Sequence, residues 1–356
     1  MIQADPLLGT GLHAAGAFCA ALCYTPQHGI RSWSWQTYWL AQASICWLLA
    51  PVVGAFLTVP DLLTALGDAP PSALWKTFLL GAAYGIGGTA FGLAIRHIGY
   101  SLTYAMAVGL SCVLGTLSGP LIQEKVRETL EARGAGWVLA GIAVGAAGIF
   151  LCGLAGRRKE IDIGAEAARR GFSLSKGLPL CLIAGVLSAV YGIAVNDTGK
   201  PIAEAAGRHG AGHWETNAVY IFSNSGAFVT TAAYTIFLGI RHRTLGEFVR
   251  TAAGRGVLLP NYLLAILTGC LWYSQFLFYG IGHVRMGKFE FSSWAIHMIL
   301  LILWSALTGL LMREWKGCRP RTLRGIALAI VVLIAAVLSI TYGNWLALPQ
   351  SSPPPG

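Results

Sequence analysis

Apolar runs of about 18–25 residues recur along this chain, each long enough to cross a hydrocarbon core as a helix. Ten can be drawn, at about 7–24, 37–58, 75–95, 101–122, 136–154, 177–196, 216–238, 258–282, 290–312 and 324–345. The seventh is the faintest, because Asn217, Asn224 and several Thr and Ser dilute it. Composition points the same way. Only 11% of the 356 residues are charged, and the mean hydropathy is +0.61. That leaves too little polar surface to cover a water-soluble globule. The 45 glycines suit close helix packing in lipid. The expected fold is an all-α polytopic membrane protein with ten transmembrane helices.

No basic segment precedes the first run, since the first Lys or Arg is Arg31. A cleaved signal peptide is therefore not expected, and the first run should remain as a span. The formal charge of +10 invites a nucleic-acid reading, which fails once the basic residues are placed in short connections. With the amino-terminus outside, cytoplasmic connections hold 17 of the 25 Lys and Arg, and the opposite side holds 8. "GRRKEIDIGAEAARRGFSLSK" (156–176) and "REWKGCRPRTLRG" (313–325) dominate that count. By the positive-inside rule both termini should lie outside. The eight cysteines are scattered, without CxxC or Cys/His spacing, so they read as small packing residues and no metal is expected.

The chain also resembles itself. Leu79, Gly81, Tyr84, Phe91, Gly92 and Gly99 match Leu267, Gly269, Trp272, Tyr279, Gly280 and Gly287 at a constant offset of 188. "GPLIQE" (119–124) matches "GLLMRE" (309–314) at 190, and "WQT" (35–37) matches "WET" (214–216) at 179. Matches in the same order, with offsets that drift as loops vary, suggest a duplicated five-helix unit. Five is odd, so the second copy must run in the opposite sense. This is the inverted repeat common in secondary transporters, which bind substrate near midplane between the halves. The expected division is 1–156 as the first repeat, 157–176 as a basic cytoplasmic linker, 177–345 as the second repeat and 346–356 as a disordered tail. Gly81, Gly85, Gly88 and Gly92 fall on one helix face that another backbone can approach closely. "GIGGTA" (85–90) is not a dinucleotide fingerprint, because it lacks the third glycine and a preceding strand.

Polar and aromatic residues share faces on two late spans. Trp272, Gln275, Tyr279 and His283 lie at i, i+3, i+7 and i+11, and Glu290, Trp294 and His297 at i, i+4 and i+7. Ionisable groups in lipid turn inward or toward water, so both faces should look into the protein. Trp and Tyr also serve as interfacial anchors, a reading that suits His283 near a span end better than the deeper Gln275 and His297. Aromatic rings beside amide and imidazole groups suit a sugar, whose C–H faces stack while its hydroxyls need groups that donate and accept. No carboxylate pair or Ser/His/Asp order supports catalysis, and an enzyme is not expected.

These residues resemble the L-rhamnose–proton symporter family of the drug/metabolite transporter superfamily, along nearly the full chain. The resemblance rests on "HAAGAFCAALCYTP" (13–26), "WSW" (33–35), "GIGGTAFGLAIRHIG" (85–99), Asn196 with Lys200-Pro201, "LWYSQFLFYGIGH" (271–283), "SSWAIHM" (292–298) and "REWKG" (313–317). It implies uptake of L-rhamnose or a related 6-deoxy sugar with H⁺, in a bacterial inner membrane, without cofactors. Trp272, Gln275, Tyr279, Tyr84, Asn196, Asn224 and Trp294 are the expected sugar contacts. A symporter also needs a group that titrates in its working range. Histidine does so near its ordinary pKa, and His13, Glu290 and His297 are the expected proton-coupling residues, with Asp197 ranked below them. Two other readings stay open on sequence: an exporter on the same fold, which would want a carboxylate at the pocket centre, and a membrane-embedded enzyme or sensor.

Overall fold

The computed structural model describes residues 4–122, 124, 126–169, 173–251, 254–287 and 292–347. Among them there is no strand. The long helical segments are α1 (Pro6–Leu22), α2 (Trp35–Thr58), α3 (Pro71–Ile98), α4 (100–122), α5 (Ala135–Arg169), α6 (Leu174–Thr198), α7 (Thr216–Arg241), α8 (Leu258–His283), α9 (Ser292–Leu311) and α10 (Pro320–Leu346). Local chemistry fixes several starts. Pro6, Pro71 and Pro320 occupy first-turn positions, where the missing N–H costs nothing. The Asp5 carboxylate caps α1 by accepting from the Leu8 N–H at 3.0 Å. At the end of α3 the chain turns through Gly99 at φ 80°, a conformation that glycine adopts freely.

Among the described residues nine helices are long and apolar enough to cross a membrane. The exception is α4, where a π-helical turn at Tyr104–Val108 separates Tyr100–Thr103 from Gly109–Ile122. Two further π turns interrupt α2 at Ser44–Leu49 and α6 at Ala194–Thr198. The sequence places the end of the fifth run near 154, yet α5 continues to Arg169 with a break at Gly164. Its extension is rich in Arg, Lys, Glu and Ala, which favour helix. Much of the expected linker is therefore a prolongation of α5. Glu290 and the 348–356 tail lie outside the described residues.

The packing is reciprocal. α1 lies against α8 and α9, while α6 lies against α3 and α4; α2 packs on α7, and α5 on α10. α9 is apolar around its circumference and buried on nearly every side, as a central helix should be. Leu57, Phe150, Ile240 and Leu311 are more than half exposed, on the outside of the bundle. The faint seventh run is explained by its neighbour. Gly81 and Gly85 bring α3 directly onto the α7 backbone at Ser223 and Ala227. Thr230 and Thr231 of α7 then donate to the carbonyls of Ala82 (2.8 Å) and Gly85 (3.1 Å). Its polar residues are glue between helices.

The two ends of the bundle can be named by what they carry. The terminal face has the start of α1 and the end of α10, joined by the Thr10 and Thr341 hydroxyls at 3.1 Å. The linker face carries the α5–α6 connection. There the Ser173 N–H donates to the His97 carbonyl at 2.8 Å, and Asp162 accepts from the Thr322 hydroxyl at 2.6 Å.

Candidate functional site

A small cavity of about 60 Å³ lies among α1, α3, α4, α6, α8 and α9. Its central wall is aromatic. Tyr84 of α3 and Trp272 of α8, equivalent positions at the 188 offset, face one another with ring centroids 6.4 Å apart. Trp272 packs on Phe276 at 4.9 Å, and Tyr84 on Tyr191 at 4.4 Å. Trp47, carried by the π turn of α2, wedges behind both at 5.5 and 6.0 Å. Gly88 makes room for it, since a Cβ there would meet the Trp47 ring at 2.8 Å.

Polar groups enter this aromatic shell at a few places. Gln275 lines it from α8, and Ser188 and Tyr191 from α6. The Tyr191 hydroxyl donates to Asn224 Oδ1, so toward the cavity it can only accept. Asn224 thus stands behind Tyr191, its Nδ2 buried with no hydrogen-bond partner among the described residues. Toward the linker face the cavity ends at Phe91, Tyr104, Tyr24 and Cys23. The Tyr104 hydroxyl donates to the Ala20 carbonyl at 2.9 Å, and the neighbouring Tyr100 hydroxyl donates to the Ala21 carbonyl.

Tyr279 and Trp294 do not line the cavity. They form a fully buried cluster between it and the terminal face, in edge contact with centroids 5.8 Å apart. His283 stacks on Tyr279 at 5.7 Å, while His13 and His297 approach the same ring at 5.1 and 5.4 Å. His13 and His297 lie side by side, 5.9 Å apart. Both are completely buried; among the described residues the His13 ring nitrogens have no hydrogen-bond partner, and those of His297 have none beyond an approach to the His13 backbone. Small residues admit them: a Cβ on Gly282 would meet His13 Nε2 at 3.3 Å, and one on Gly16 would meet His297 Cε1 at 3.3 Å. Rings continue from this pair to the cavity, His297 lying 6.4 Å from Phe276. On the other side the Tyr279 hydroxyl donates to Asn196 Oδ1 at 3.1 Å. Asn196 and His283 in turn line an open vestibule on the terminal face, with Lys200, Glu204, Arg208 and Glu215.

The expected residues therefore fall in three connected places. Tyr84, Trp272 and Gln275 meet in the cavity, with Asn224 behind its wall. Tyr279, Trp294, His13 and His297 form the cluster above it, and Asn196 opens onto the vestibule. Sequence reasoning missed Tyr191, Trp47, Phe91 and Tyr104. For the last two a signal was present: Phe91 is the partner of Tyr279 at offset 188, and Tyr104 stands 190 before Trp294.

A helical bundle with a small aromatic cavity in its interior, approached through a polar vestibule, is a multi-pass membrane protein built as a carrier. Comparison with known sequences is specific. The model of the L-rhamnose-proton symport protein family (RhaT) matches residues 3–344, and the chain belongs to that family. It is 32% identical over 338 residues to an L-rhamnose-proton symporter of Cronobacter sakazakii, covering 94% of this chain and 97% of that one. It is 31% identical over 338 residues to that of Salmonella paratyphi A, with the same coverage. Against that of Mannheimia succiniciproducens the identity is 32% over 342 residues, covering 95% and 98%.

Proposed function

We propose that this chain carries L-rhamnose, or a closely related 6-deoxy sugar, into a bacterial cell together with H⁺. The observation that carries the reading is the juxtaposition of two things: an aromatic cavity with an amide on its wall, and a buried pair of imidazoles with no side-chain hydrogen-bond partner among the described residues, one ring contact away. The sugar occupies the cavity, stacked on Trp272 and Tyr84 and hydrogen-bonded by Gln275 and Tyr191. His13 and His297 take the proton. Burying a polar group without a partner costs stability, so two such side chains together need a reason. Two imidazolium ions at this separation would repel, so the pair is suited to one added proton at a time. Loading the pair shifts the rings against Phe276 and hence against the sugar.

The architecture belonging to this reading is ten spans in two inverted five-helix repeats, with the linker face in the cytoplasm and the terminal face outside. The π-interrupted α4 is the tenth span. Reciprocal packing supports the repeat, because exchanging α1 with α6, α3 with α8 and α4 with α9 maps one set of contacts onto the other. Gradient-driven uptake tests the function. Purified protein in liposomes should accumulate radiolabelled L-rhamnose when the outside is made acidic, and a collapsed gradient should stop accumulation. No gradient-dependent uptake of any 6-deoxy sugar would overturn the proposal. For orientation, a Cys placed at Ala165 should resist impermeant thiol reagents in intact cells; ready labelling would reverse the topology.

A further inference from the structure

The cavity is chemically lopsided. Hydrogen-bonding side chains reach it from α3 (Tyr84), α6 (Ser188 and Tyr191) and α8 (Gln275), with Tyr24 and Tyr104 at its linker end, whereas the stretch between α4 and α9 is closed by Ala107, Val108, Met298 and Leu301. All four are buried, each less than a tenth exposed. None carries a group able to hydrogen-bond a hydroxyl well; the Met298 thioether is at most a weak acceptor. Met298 and Leu301 are about one turn apart on α9, so they present one apolar strip. Val108 closes the π turn of α4, and the packing of α9 on α4 brings the two surfaces into one wall.

We infer that this α4–α9 wall is the subsite for the C6 methyl of the sugar and selects 6-deoxy over 6-hydroxy substrates. The inference rests on the cavity being the sugar site. A 6-deoxypyranose has oxygens around most of its rim and one methyl at C5. Its hydroxyls gain partners on the α3, α6 and α8 side and at the linker end, from Tyr84, Ser188, Tyr191, Gln275 and Tyr24, but not on the four apolar side chains of the α4–α9 wall. The methyl loses nothing by facing a wall without donors or acceptors and gains burial there. Turned the other way, the sugar would bury hydroxyls unpaired and leave Gln275 and Tyr191 facing a methyl, two costs at once. The same wall penalises L-mannose, which is L-rhamnose with a hydroxyl on C6. Apolar pockets reject an added hydroxyl only moderately, by up to about 100-fold.

Competition of L-mannose against radiolabelled L-rhamnose uptake gives the ratio of the two apparent affinities. The wild-type protein should favour L-rhamnose by about 10–100-fold. Met298→Gln keeps the length of the side chain and adds an amide, and Val108→Thr replaces a methyl by a hydroxyl at constant volume. Each should cut the ratio several-fold, mainly by improving L-mannose, and two variants guard against one failing to insert. If the wild type does not discriminate, or if neither variant changes the ratio while still transporting L-rhamnose, the methyl subsite is wrong. Gln275→Leu separates that failure from failure of the cavity itself. If it weakens L-rhamnose while the wall variants keep the ratio, the sugar is in the cavity with its methyl elsewhere. If it changes nothing, the sugar binds at another place and both readings fall.

Discussion

Two aromatic plugs bound the cavity, and they are built alike but wired differently. Toward the linker face Phe91 meets Tyr104 edge-on, 4.9 Å apart at 85°. Toward the terminal face Tyr279 meets Trp294 at 5.8 Å and 82°. The paired residues stand 188 and 190 apart in the sequence. Around the first plug two of the hydroxyls are committed. Tyr104 and Tyr100 donate to successive carbonyls at the end of α1, and Tyr24 is stacked on Trp39 at 5.2 Å. Around the second, the polar partners are imidazoles, and those of His13 and His297 have no side-chain hydrogen-bond partner among the described residues. The two plugs share their ring geometry and differ in what the rings touch, as the proposed duplication would have it. A satisfied polar network holds a closed conformation, whereas an unsatisfied one is ready to change its protonation or its partner. That difference is why the proposal assigns energy coupling to the terminal plug.

The largest expected effect follows from it. His297→Gln keeps much of the size and polarity of the side chain but cannot titrate near neutrality. It should abolish accumulation driven by a pH gradient while leaving sugar binding or exchange measurable. The same treatment of the other plug, Tyr104→Phe, should leave accumulation intact, because no titrating group is removed. If accumulation persists in both His13→Gln and His297→Gln, the comparison breaks. The coupling site would then lie elsewhere, with Glu290 the next residue to replace by Gln, or the driving ion would not be H⁺.

A middle-sized effect concerns what lies between the plugs. Trp272→Ala should weaken L-rhamnose binding by about 10–100-fold, taking base–aromatic stacking of ~1–3 kcal/mol as the guide. Gln275→Leu should also weaken it while leaving expression unchanged. His283→Gln, on the vestibule side of the terminal plug, should have a much smaller effect on affinity. Equal losses at Trp272 and His283, read by equilibrium binding, would mean that the sugar does not distinguish cavity from plug.

That division also marks where the sequence stopped being informative. Runs of 18–25 apolar residues located the nine helices long enough to span among the described residues, and even the dilute seventh run is a complete helix, while the fourth is broken by its π turn. The stripe Trp272, Gln275, Tyr279, His283 does share one face of α8. Eleven residues of helix rise about 16 Å, however, further than one sugar ring reaches. The stripe therefore runs through cavity, plug and vestibule, which periodicity cannot separate. Tyr191 and Trp47 were missed for a different reason: a lone aromatic in an apolar run has no pattern, and only the packing of α6 on α3 and the π turn of α2 bring them to the site. Likewise the adjacency of His13 and His297, 284 positions apart in the sequence, comes from α1 lying against α9.

The smallest effect sharpens the comparison most directly. Each plug has one phenol tied across helices: Tyr279 to Asn196 of α6 at 3.1 Å, and Tyr104 to the Ala20 carbonyl of α1 at 2.9 Å. Tyr→Phe removes the hydroxyl and keeps the ring, so packing survives and only the tie is lost. Hydrogen bonds between membrane helices average about 0.6 kcal/mol, which corresponds to a two- to threefold shift between states. Tyr279→Phe should open the terminal side by that factor, and Tyr104→Phe the linker side. A single Cys at Ser188, on the cavity wall, reports both in a background with the native cysteines replaced. Its labelling by an impermeant thiol reagent should quicken about two- to threefold from the terminal face in the first variant and from the linker face in the second. If both variants quicken labelling from the same face, the two ties do not oppose each other. The plugs would then be similar in geometry without being alternative gates.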